Sequence, residues 1–191
     1  MINNGKAALV AAALITMMSC AQKNETQTDS RYIGPSDIKV DDGRMTPEVL
    51  LSLGRLSDPQ LSPDGRWILY GVSYTSIEEN RSCRNLFLTE VTKNENGGFA
   101  FGDKVQLTAE GKSVSNARWS NDGKSIYYLQ GGQIFNSAIT IAGGKVSLSD
   151  RKQISDIEAG IGEFSLSPDQ TQVLYTSTIP GAVKTPKDFD E

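Results

Sequence analysis

Histidine is missing from all 191 residues. Its absence removes His-ligated metal sites and every Ser-His-Asp or Cys-His catalytic set from this chain. Cysteine occurs only at Cys20 and Cys83, so there is no disulfide framework; Cys83 reads as an ordinary thiol or one paired outside the chain. A basic stripe is also missing: Lys and Arg are scattered, the net charge is −4 and the pI is near 5.0. Nucleic acid is therefore not an expected partner. Gly-x-Ser-x-Gly does not occur, and Ser-x-x-Lys occurs only in polar connectors, at Ser36/Lys39 and Ser149/Lys152, without partner motifs. Gly160-Ile161-Gly162 lacks the third glycine of a dinucleotide fingerprint and precedes a strand, so it reads as a turn. The alternating carboxylates of a calcium loop are missing too. No catalytic residue, metal or cofactor is expected. An apolar content of 38% still suffices for a core.

What is present begins with Ala7 to Met18, an apolar run of 12 residues broken only by Thr16, after a short segment carrying Lys6. A bilayer span takes about 20 residues, so this run fits the apolar core of a secretory leader instead. It ends in Met17-Met18-Ser19-Cys20. This resembles a bacterial lipoprotein signal, although Met17 stands where Leu is usual. The resemblance implies a leader over residues 1–19, lipidation at Cys20 and attachment to a membrane. It places the chain in the envelope of a Gram-negative-type bacterium, as a periplasmic or outer-membrane lipoprotein. A plain secretory leader is the other reading. Cleavage before Cys20 removes Lys6 and no acid, leaving 18 − 23 = −5. Residues 20–44 are polar and poor in large apolar side chains, and read as a disordered tether.

A repeat organises residues 45–191. Leu61-Ser62-Pro63-Asp64-Gly65 leads into Trp67-Ile68-Leu69-Tyr70, and the pattern recurs around Asp122 and Asp169. Counting from each Asp, Ser lies two before, Ile or Val four after and Tyr six after. The turns span 62–65, 120–123 and 167–170. Ser, Pro and Asp suit the first three positions of a type I turn, and Gly the left-handed position that closes a three-residue hairpin loop with a bulge. Gln170 stands where this Gly belongs, which predicts a strained or altered third turn. The residues at +4 and +6 share one face. Gln106-Leu107-Thr108 and Gln153-Ile154-Ser155 both lie 16 residues before the next Asp, and the Asp-to-Asp distances of 58 and 47 match the scale of a four-stranded propeller blade.

The expected architecture is all-β: a partial β-propeller of two four-stranded blades plus the start of a third. One short helix precedes it, with Thr46 as cap, Pro47 at its first position and Gly54 past its end. Met45 and Leu50 are placed to close as a hydrophobic staple, and Val49, Leu50 and Leu53 to form an apolar face. In the first blade, Ser73 to Arg84 reads as a polar loop, Asn85 to Val91 as a strand and Phe99 to Thr108 as a fourth strand. Asp64 to Leu86 spans 22 residues where Asp122 to Ile134 spans 12, so the first blade has ten more here. Glu78, Glu79 and Arg81 make this the candidate substrate-facing loop.

Thr46-Pro47-Glu48-Val49-Leu50, followed by Leu56-Ser57-Asp58-Pro59-Gln60-Leu61-Ser62-Pro63-Asp64-Gly65, resembles the opening of the propeller in bacterial peptidases of the prolyl oligopeptidase family. The acylaminoacyl peptidase and dipeptidyl-peptidase V branch is the nearest. Ser76 to Arg81 running into Asn85-Leu86-Phe87, and the tail Val183-Lys184-Thr185-Pro186-Lys187-Asp188, are also similar. The resemblance implies a propeller that gates peptide access to a C-terminal α/β-hydrolase domain, which carries the Ser, Asp and His. None of those catalytic residues maps to this sequence, so the chain is expected to be the N-terminal part of a longer protein, inactive alone. A non-catalytic periplasmic propeller of the TolB type, binding partner proteins, is the second reading.

Overall fold

The computed structural model describes residues 32–40, 42–143 and 145–178. The expected leader, Cys20 and the tail from Val183 to Asp188 lie outside the described residues. Helix α1 (Pro47–Ser52) starts as expected, with the Val49 amide donating to Thr46 Oγ1 at 3.3 Å. The staple does not form: Met45 and Leu50 are 65% and 51% exposed, and only Val49 of the helix is buried. Gly54 is required by close packing, not by a left-handed cap. A Cβ there would lie 2.6 Å from Tyr74 Cε1 and 3.0 Å from Val72 Cγ1.

The first sheet runs β1 (Arg55–Leu61), β2 (Trp67–Ser76), β3 (Arg81–Lys93), β4 (Phe99–Phe101), with β5 (Val105–Gln106) also on β3, all antiparallel. The expected single fourth strand is thus split. Gly102 and Asp103 are poor strand formers, and the chain leaves the ladder there after Gly102 donates its amide to the Glu90 carbonyl. The second sheet is an unbroken meander of β6 (Val114–Trp119), β7 (Ser125–Gln130), β8 (Gln133–Ala142) and β9 (Lys145–Gln153). A hairpin of β10 (Phe164–Leu166) and β11 (Val173–Tyr175) follows. The described chain is therefore all-β and propeller-like: a first unit whose fourth strand is split in two, a four-stranded second unit and the opening hairpin of a third.

All three turns close in one way. Ser Oγ donates to Asp Oδ1 at 2.5, 2.6 and 2.5 Å, and accepts the amide of the residue five on at 2.9 Å each time. Four residues separate each closing pair (Ser62/Trp67, Ser120/Ser125, Ser167/Gln172), one more than expected, because the Ser carbonyl is taken by the amide three residues on. That third residue is left-handed in every copy: Gly65 at φ 72°, Gly123 at 69° and Gln170 at 57°. The third turn keeps the common shape, so the expected strain is present and the expected alteration is not.

In the first two units the +4/+6 face is largely buried, and so is the opposite one, whereas Val173 and Tyr175 of the third unit are exposed. Leu69, Leu86 and Leu88 of the first sheet pack against Val114, Trp119, Ile126 and Tyr128 of the second. Tyr127, Leu129 and Ile134, on the other side of the second sheet, meet Phe164 and Leu166 of the third unit. The first sheet's remaining face carries Tyr70, Val72, Tyr74, Cys83 and Phe87, covered by Ile33. Residues read as tether thus reach into the core: Ile33 is 6% exposed, and Tyr32 Oη donates to Gln106 Oε1 at 3.1 Å.

The seams between units also repeat. β1 and β6 each bulge at a left-handed residue six before the turn Asp, Asp58 at φ 52° and Asn116 at φ 50°. Each bulge residue bonds the next unit: Asp58 Oδ2 pairs with Arg118 Nη1 at 2.8 Å, and Asn116 Nδ2 donates to the Phe164 carbonyl at 2.7 Å. Trp119 Nε1 donates to the Gln60 carbonyl at 3.3 Å. Gln170 clasps the second turn with both ends of its amide, donating to the Trp119 carbonyl and accepting from the Asn121 amide, each at 3.0 Å.

Candidate functional site at the first hairpin

Of the ten additional residues of the first unit, eight are ladder and two lengthen the turn. In the second unit the hairpin ends one pair beyond Leu129↔Ile134, at Gln130↔Gln133, and turns on Gly131-Gly132. In the first, five pairs follow the corresponding Gly71↔Leu86, ending at Ser76↔Arg81, and the turn has four residues, Ile77 to Asn80. Ser73 to Arg84 looked like a loop because its outward positions are Ser, Thr and Arg. Its inward ones, Tyr74 and Cys83, are 6% and 0% exposed. A rigid arm therefore carries the candidate residues to the end of the sheet opposite the Ser-Asp turns.

At its tip the Asn80 amide donates to the Ile77 carbonyl, and Asn80 is left-handed at φ 45°. Glu79 donates its amide to Ser76 Oγ at 3.2 Å and holds Arg81 through its carboxylate at 2.9 Å. Arg81 Nη1 also donates to the Gly111 carbonyl at 3.3 Å, tying the arm to the crossing between the first two units. Glu78 and Glu79 are both exposed, and Arg81 is half-buried. The structure thus pairs Glu79 with Arg81 and leaves Glu78 as the projecting carboxylate.

A cavity of about 390 Å³ opens beneath the tip, lined by Thr75, Ile77, Glu78 and Glu79 on one side and by Tyr32 and Ile38 on the other. The segment around Tyr32 was missed in the sequence as part of the site. Its only signal was the apolar pair Tyr32-Ile33 in a polar stretch. Clearly shifted ionisation lies elsewhere, in the turns. Bonds from Ser62, Ser120 and Ser167 and from nearby backbone amides hold Asp64, Asp122 and Asp169 below the usual carboxylate range, Asp169 to about 2. Glu48 is lowered by its own backbone amide and by Thr46 at the helix start. Among the described residues no three His, Cys, Asp or Glu side chains gather where they would hold a metal. In the two Ser-x-x-Lys pairs, Ser36 Oγ accepts the Ile38 amide and Ser149 Oγ donates to Asp150.

No protein-family model matches the chain. Over 142 residues, 71% of the chain, it is 33% identical to dipeptidyl-peptidase 5 of Porphyromonas endodontalis. Over 137 residues it is 34% identical to dipeptidyl-peptidase 5 of Porphyromonas gingivalis. Over 138 residues it is 25% identical to the uncharacterized peptidase YuxL of Bacillus subtilis. The matches span 18% of the first two relatives' lengths and 19% of the third's. The chain is thus similar to a limited segment of each of these peptidases.

Proposed function

We propose that the chain is the propeller portion of an exported serine peptidase that removes short peptides from substrates, of the dipeptidyl-peptidase kind. The alignment to two dipeptidyl-peptidases at 33% and 34% identity carries this reading. Within it the propeller filters substrates by size, and acyl transfer belongs to an α/β-hydrolase domain with its own Ser, Asp and His. The arm bearing Glu78, Glu79 and Arg81 faces the substrate, and the cavity beneath it accommodates part of a peptide. Cys20 carries the lipid that holds the protein in the cell envelope.

Reading the gene beyond the Glu191 codon tests the assignment. A downstream Gly-x-Ser-x-Gly followed by Asp and His supports the peptidase; further blades and then a stop codon would favour a non-catalytic propeller that binds proteins. The arm is tested separately in the complete enzyme. Glu78→Gln is expected to raise KM for dipeptidyl substrates several-fold with little change in kcat, as loss of a binding contact requires. An unchanged KM removes Glu78 from the substrate path.

A further inference from the structure

The outermost strand of the first sheet, β4, is Phe99-Ala100-Phe101, and both rings are 65% exposed. They stand on one face of the strand, since side chains alternate. Blade construction does not demand this. The corresponding outer strand of the second sheet, β9, turns Val146 and Leu148 toward the core and shows Lys145, Ser147 and Ser149 to solvent. An exposed aromatic pair on a short edge strand marks a contact.

The N-terminal segment reaches the body at the same edge. Tyr32 bonds Gln106 of β5, which pairs with Phe87, while Phe101 pairs with Val91 on the same strand. The two points are four residues apart along β3, about 13 Å. From Cys20 to Tyr32 is 12 residues, at most about 40 Å of chain. A lipid on Cys20 therefore keeps this edge within reach of the bilayer.

We propose that β4 is a membrane-contact edge, with Phe99 and Phe101 seated in the interfacial region of the leaflet that holds the anchor. The proposal rests on the reading of Cys20 as the lipidated residue. Lys93 and Lys104 flank the pair, but Glu95 and Asp103 flank it too, so the rings and not the charges carry the affinity.

The test places a reporter at the edge. The full chain carrying Phe101→Trp is reconstituted in phosphatidylethanolamine–phosphatidylglycerol vesicles containing brominated acyl chains, beside a Leu174→Trp control on exposed β11. The parent chain supplies the background from Trp67 and Trp119, which both variants share. Above that background, the indole introduced at position 101 is expected to be quenched by the brominated lipid, and the one at position 174 to be spared. Equal quenching at both sites overturns the proposal. So does blue-shifted emission from the position-101 indole before vesicles are added, which would mean that protein already covers the edge. A second arm uses the full chain with Cys20→Ala, which cannot be acylated. Its vesicle binding is expected to fall about tenfold in Phe99→Ser/Phe101→Ser and to change little with phosphatidylglycerol content. Unchanged binding in the double variant overturns the edge. If mass spectrometry finds no lipid on Cys20, the anchoring reading fails, and the second arm still decides whether the edge binds membrane.

Discussion

At the residue scale, Gln170 shows how a departure from a repeat can be compensated. A non-glycine residue at φ 57° costs roughly 1 kcal/mol, while two amide bonds to the neighbouring turn offset it. Gln170→Ala keeps the strain and loses both bonds, whereas Gln170→Gly loses the bonds and relieves the strain. The Ala variant should be less stable than the Gly variant by about 1 kcal/mol in denaturant unfolding. Asn85 is uncompensated: it is fully buried, with no partner for either amide atom among the described residues. At the corresponding place in the second unit, Gln133, one methylene longer, bonds Ile157 and Ser155. Asn85→Leu is therefore expected to raise stability, by about 1 kcal/mol in the same assay. The turn aspartates set the acid limb. Asp169, ordinarily at 3.8, sits at about 2 when folded. Its depressed value means that stability is contributed above pH 3.8 and is lost as pH falls toward 2. Thermal midpoints across that window should fall, and Ser167→Ala, which removes the first cause of the depression, should flatten the slope.

At the scale of elements, Gly54→Ala separates a packing role from a capping one. The added methyl meets the buried Tyr74 ring at 2.6 Å, so a loss of about 1–3 kcal/mol is expected. Tyr74→Leu in the same chain should recover part of it, as a cap defect would not allow. The turns, the repeat spacing, the helix start and the four-strand units were legible in the sequence because each rests on local chemistry: Ser and Asp at fixed offsets, Pro47 after Thr46, β-formers between glycines. The equivalence of residues 106–108 and 153–155 was legible too, and the structure gives both the same pairing. Thr108 and Ser155 hydroxyls accept the amides of Leu86 and Ile134, and the residues beside them, Leu107 and Ile154, donate their amides to the carbonyls of those same residues. What the sequence hid was long-range. Ser73 to Arg84 alternates as a strand should, yet its solvent face is polar enough to pass for a loop. Ile33 is buried by a sheet whose residues begin more than twenty positions later. The candidate site was half legible. Glu78, Glu79 and Arg81 stood out by the length difference between units, but the opposite wall at Tyr32 and Ile38 depends on that hidden packing.

At the scale of the whole molecule, stacked sheets leave the last described hairpin with one face uncovered. On that face Leu174 of β11 is 77% exposed, and on the other Val173 and Tyr175 are only partly covered, at 40% and 44%. Short edge strands with apolar faces pair with one another. The 191-residue chain alone should self-associate with rising concentration in analytical ultracentrifugation, and Leu174→Lys should shift it toward monomer. A monomer at all concentrations would show that this face is not adhesive. The bulges of β1 and β6 bear on a different question, the history of the molecule. Both ends of a seam lie at nearly constant distance from their own turn: the reaching residue six before the Asp, the receiving one four or five before the next. A duplicated blade therefore arrives already able to grip the blade before it and the blade after. Blade number can change by whole units without redesign of either neighbour, while a change of one residue between bulge and turn breaks two seams at once.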